Sequence, residues 1–270
     1  MATALDRVRG LVRFDALVLA AAIWFLAKFL RYAFPPLFPA FRETFAVSNA
    51  AVGGAFTAMM VVYAATQFPS GALADRVGAV AVVVGGALVA AVGALALVAP
   101  VPFAALVGAM LLVGLGTGAH KTVAVRLLSR TYPARTGRAL GVLDTFGAFG
   151  GVAAPVAVVT LVAVRDWHTV FLVGGLAGVA LAGAFAVRAP RRVPAPPRTA
   201  TDATDPRAYV RLFRDPRFAA FVGVTLCFSF AYNGVVAFLP SYLVAVGLSP
   251  EAASGVYSAL FLASLVQLLT

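Results

Sequence analysis

Few ionisable residues interrupt the apolar runs of this 270-residue chain, and those that do fall in small groups. Lys28, Arg31 and Tyr32 sit in the first run, where helical spacing places Arg31 and Tyr32 each one turn from Lys28 and makes a cationic stripe. His120 and Lys121 are neighbours in the fourth run, about 100° apart on a helix, so at most one of them points squarely at a central cavity. Lys121 shares a face with Gly114 and Gly118, a spacing typical of close helix packing, whereas His120 lines up with Thr117 and Ala124. Asp144 is the one carboxylate deep in any run, on a stripe with Gly141, Gly147 and Gly151. It can pair with Lys121 or His120 and fix helix packing, or it can serve coupling; both roles stay open. Tyr232 and Asn233 add polar groups to the seventh run.

The chemistry these residues support is recognition of a solute and not bond making. Asp144 has no second carboxylate, His120 has no second histidine at ligand spacing, and no serine has a positioned base. Cys227 is the only cysteine, and His120 and His168 are the only histidines, so disulfide frameworks, CxxC pairs and dense metal clusters are excluded. Neither enzyme activity nor a cofactor is expected. Lys28, Arg31 and Lys121 against Asp144 leave an excess of two positive charges, which favours an anionic solute. The candidate substrate-binding set is Lys28, Arg31, Tyr32, His120, Lys121, Tyr232 and Asn233, with Asp144 for coupling or a salt bridge. A charge at the bilayer centre costs about 2.5 to 3.5 kcal/mol, so Lys28 must face a cavity or a partner. Arg31 either does the same or snorkels to the headgroups.

The elements that must position these groups follow from composition. Hydrophobic residues make up 62% of the chain and charged ones 11%, with mean hydropathy +0.96, which only a bilayer can accommodate. Apolar runs between polar or proline-bearing breaks predict helices near 14–40, 47–69, 77–99, 103–130, 136–164, 166–188 and 217–246, with an eighth from about 250. Pro35, Pro36 and Pro39 predict a kinked or frayed end to the first. The apolar stretch after Arg7, Arg9 and Arg13 runs past any cleavage site, so a cleaved signal peptide is not expected. The formal charge of +11 comes from arginines between apolar runs, which argues against nucleic-acid binding.

Arg76, Arg130, Arg135 and Arg138 fall on the side of the N-terminus, and only Arg42 and Arg165 on the other, so the N-terminus is expected in the cytoplasm. The expected organisation is a six-helix unit over 1–188, a flexible basic linker over 189–216 and the first two helices of a second unit over 217–270. A shift of 201 positions superposes Phe29, Pro39, Ser48, Ala51, Gly54 and Ala58 on Phe230, Pro240, Ser249, Ala252, Gly255 and Ala259. Helices one and two thus fall on seven and eight, as an internal repeat requires. On that offset four more helices are expected beyond Thr270, and the chain reads as C-terminally truncated.

The segment Gly71-Ala72-Leu73-Ala74-Asp75-Arg76-Val77-Gly78, between helices two and three, resembles the loop motif of the major facilitator superfamily, G-x-L-A-D-R-x-G. Ala79 and Val80 stand where that family usually has basic residues. Arg31, Pro39, Phe45, Ser48, Gly53, Phe56, Tyr63, Gln67, Pro69 and Gly71 are spaced as in its organic anion:cation symporter branch. Arg138, Gly141, Gly147, Gly151 and Pro155 resemble the start of the family's fifth helix. The resemblance implies an all-α membrane bundle, six N-terminal transmembrane helices plus two of the second half, working by alternating access in the plasma membrane. It implies a gating latch at Gly71, Asp75, Arg76 and Gly78. Leu30, Leu111, Val113 and Thr117 depart from residues that carry proton coupling in relatives. The expected partners are the lipid bilayer, a small anionic substrate and a coupling ion, proton or sodium, with the protein a monomer. An exporter of drugs or metabolites and an inactive truncated fragment are the alternatives.

Overall fold

The computed structural model describes residues 14–191 and 211–263, and every regular element among them is helical. The arginines before Phe14, most of the basic linker and the tail after Ala263 lie outside the described residues. The first run is α1 (Asp15–Tyr32), a short 3₁₀ turn at Pro35–Leu37 and α2 (Phe38–Phe45). Prolines lack a backbone donor, so the expected kink falls where Pro35, Pro36 and Pro39 are. After it come α3 (Asn49–Val77), α4 (Ala79–Leu95), α5 (Phe103–Gly118) and α6 (Lys121–Thr131). The chain continues as α7 (Thr136–Val164), α8 (His168–Arg188), α9 (Pro216–Ala245) and α10 (Pro250–Ala263). Among the described residues, six helical segments are long and apolar enough to cross a membrane, counting α1 with α2 and α5 with α6; α4 is a shorter apolar helix.

Two boundaries differ from expectation. The second helix does not stop near Pro69 but continues to Val77, with Ser70 Oγ donating to the Gln67 carbonyl at 2.8 Å beside the proline. The motif that reads as a loop is therefore two further helical turns, and the reversal rests on Gly78 alone, at φ +93°. The fourth run is interrupted at Ala119 and His120, which separates α5 from α6.

Helix packing follows the small residues. A side chain at Gly114 or Gly118 would run into the backbone of α3 at Met59 or Tyr63, and one at Gly150 into the backbone of α1 at Phe25. The helix end carrying Pro35 buries an aromatic cluster in which Phe34 packs on Phe171, and Phe41 meets Trp167 edge-on. The opposite end, which carries Asp75, is tied by Arg188 to Asp15 at 3.7 Å.

The 201-residue offset has a structural counterpart. Ser48 accepts a hydrogen bond from Ala51 N–H at the start of α3, and Ser249 accepts one from Ala252 N–H at the start of α10, each at 3.2 Å. Ala46 and Gly247, also 201 apart, both have positive φ, at 51° and 102°. The two helix-to-helix turns are built alike.

Candidate functional site

One side of α1 gathers most of the charges at membrane depth. Trp24, Lys28 and Arg31 occupy successive turns, so they share the face that meets α6 and α7. Arg31 is only 1% exposed, and its guanidinium lies 3.7 Å from the centre of the Tyr63 ring of α3. Its Nε and Nη1 are buried without a hydrogen-bond partner. No carboxylate pairs with it among the described residues. Arg31 thus does not snorkel; it holds a positive charge inside the bundle that only ring faces offset.

Lys121 and Asp144 form an ion pair between α6 and α7, and both side chains keep solvent access, at 26% and 50%. Of the two partners open to Asp144 in the sequence, the fold selects Lys121. The neighbouring His120 turns the other way, 1% exposed, with Nε2 at 3.0 Å from the Ala20 carbonyl and its ring stacked on Trp24. Half-buried Lys28 lies 5.9 Å from the Trp24 ring and 5.8 Å from that of Tyr32. Lys28, Arg31, Tyr32, Lys121 and Asp144 are therefore brought together, with His120 behind them.

The second unit contributes from α9 and α10. Tyr232 stacks on Phe228 of its own helix, and Asn233 donates to the Ser229 carbonyl at 2.8 Å, leaving its Oδ1 buried without a partner. Tyr257, fully buried, has an unpartnered hydroxyl, and Phe261 packs on Tyr32 at 4.7 Å. Trp24, Tyr63 and Tyr257 were not evident as site residues, because aromatic residues on apolar helices read as core. The signal for Trp24 was its spacing, four residues before Lys28 and seven before Arg31.

The motif at the Asp75 end forms a clamp. Asp75 accepts from both terminal nitrogens of Arg126, at 2.7 and 3.2 Å, and Arg126 also donates to the Gly71 carbonyl at 3.3 Å. A β-carbon at Gly71 would sit in ordinary contact with Arg126, at 3.6 Å. Arg126, rather than Arg76, ties the motif to α6.

The profile of the Major Facilitator Superfamily matches residues 20–270. The chain belongs to this superfamily. Solved superfamily-type structures share its fold: a bacterial homolog of the human lysosomal transporter Spinster, inward-facing and unoccupied, superposes with TM-score 0.77 at 19% identity over 92% of this chain and 59% of that one. A D-xylose-proton symporter gives TM-score 0.72 at 13% identity, over 94% and 66%. Among curated proteins, the probable sulfoacetate transporter SauU of Cupriavidus necator is 28% identical over 154 residues, 57% of this chain and 36% of the relative. The chain spans about a third of that relative's length. Membership of this superfamily accounts for the multi-pass architecture.

Proposed function

We propose that the full-length protein is a secondary transporter that moves a small organic anion by alternating access. The observation that carries this reading is Arg31, a buried guanidinium with two unpartnered nitrogens and no carboxylate beside it. A buried charge left alone is strongly destabilising, and an anionic ligand relieves that cost. Lys28 stands one turn away, and Lys121 is already balanced by Asp144. Two uncompensated cations fit a short dianion, such as a carboxylate joined to a sulfonate or to a second carboxylate. The relative named for sulfoacetate supports the same class.

The cleft supports an orientation as well. Among the described residues, Val236, Ala237 and Pro240 of α9 are buried, with Phe238 against Phe38 and Gly53 at the Pro35 end. Phe221, Val224 and Phe228, nearer the Asp75 end, are exposed. With the arginine-rich Asp75 end in the cytoplasm, this is an inward-open arrangement in the plasma membrane. Asp75 and Arg126 then tie α3 to α6 at the cytoplasmic end of the first six-helix unit. The unpartnered Asn233 Oδ1 and Tyr257 hydroxyl, with Tyr232, then orient the solute from α9 and α10.

The test is counterflow in proteoliposomes with a panel of labelled solutes. Short dianions are expected to exchange and to compete with one another, with monoanions weaker and sugars and organic cations inert. Exchange of cations or neutral drugs with no effect of dianions would instead establish the exporter reading.

A further inference from the structure

The three cations of the site converge on one ring. The Trp24 indole has Lys121 Nζ at 5.2 Å, the Arg31 guanidinium at 5.4 Å and Lys28 Nζ at 5.9 Å from its centre. Like charges brought this close repel, and among the described residues Asp144, paired to Lys121, is the one carboxylate brought to them. An aromatic face attracts cations through its quadrupole without cancelling their charge. It therefore holds the group together while leaving the positive field available to a ligand, which a second carboxylate would not do.

The ring is itself fixed from two sides. His120 stacks on it with centroids 5.9 Å apart and planes 18° from parallel, and His120 is anchored to the Ala20 carbonyl of α1. On the α7 side the indole lies over Gly147, where any side chain would collide with Nε1 and Cδ1. Trp24 is 4% exposed, so it has little freedom to turn away.

We infer that Trp24 is the positioning residue of the anion site, setting the spacing of Lys28, Arg31 and Lys121 through its ring face, with Gly147 and His120 fixing the ring. The inference rests on the anion reading above. It also assigns a use to buried His120, which supports the site from behind rather than touching the solute.

The experiment is equilibrium titration of the purified full-length protein with a short sulfonate-carboxylate dianion, followed by tryptophan emission. Trp167, the other of the chain's two tryptophans, is first changed to Phe, leaving Trp24 as the reporter. Saturable change in Trp24 emission is expected, with a midpoint matching binding of the labelled dianion to the unmodified protein. In direct binding, Trp24→Leu is expected to raise Kd at least tenfold, and Trp24→Phe, which keeps a ring face, no more than about threefold. Gly147→Ala should raise Kd and shift the emission maximum before ligand is added. Equal Kd for Trp24→Leu and the unmodified protein, or equal losses in the Leu and Phe variants, would overturn the role of the ring. Absence of dianion binding by the unmodified, well-folded protein would instead overturn the anion reading on which it rests.

Discussion

Lys121 and Asp144 both keep solvent access, so their pairing is a competition and not a permanent lock. An anion arriving at Lys121 must displace Asp144 or share the lysine with it. Removing the carboxylate with Asp144→Asn is expected to tighten anion binding several-fold, because Lys121 is freed. Lys121→Ala is expected to weaken it about tenfold, and the double variant to return close to the starting affinity. Direct binding at low and at high ionic strength checks this, since the differences should shrink with salt. No change in either single variant would place the pair outside the site and leave it a packing contact between α6 and α7.

At the scale of helices, stability rests on where backbones touch. Gly150→Leu forces a side chain into the α1 backbone at Phe25, which cannot yield as a flexible side chain does. It is expected to lower the thermal midpoint sharply, whereas Gly54→Leu, with nothing within 4 Å, should leave it nearly unchanged. Gly78→Ala keeps the volume small but puts a β-carbon on a residue at φ +93°, at a cost of about 1 to 2 kcal/mol. The apolar runs and their proline kink were legible in the sequence because hydropathy determines the runs and the missing backbone donor of proline determines the kink. The extension of α3 through the Asp75 motif was not, because a charged, glycine-flanked segment has the composition of a loop whether or not it is helical. What makes it helical is tertiary: Arg126 of α6 reaches across to Asp75 and to the Gly71 carbonyl. The same limit applies to Trp24, whose role depends on partners from two other helices.

For the molecule as a whole, the repeat visible in six identities extends to backbone conformation, with serine caps and left-handed turns at matching positions. Turns built alike at matching positions suit the proposed cycle, in which one set of helices rocks against another. With exposed Cys227 first changed to Ser, a cysteine at Phe228 is expected to react with a membrane-impermeant thiol reagent only from the side of the Asp75 end, and more slowly when dianion is present. Asp75→Ala should shift that reactivity by loosening the clamp to Arg126. Labelling of Phe228→Cys from the Pro35 side alone would reverse the proposed orientation.

The most direct test of the central claim is counterflow of a labelled short dianion by the full-length protein in proteoliposomes, with and without Arg31→Ala. The account predicts saturable exchange that Arg31→Ala reduces at least a hundredfold while the variant remains folded and monodisperse. Exchange that persists unchanged in Arg31→Ala would contradict it, since the buried, unpartnered guanidinium would then have no part in holding the solute.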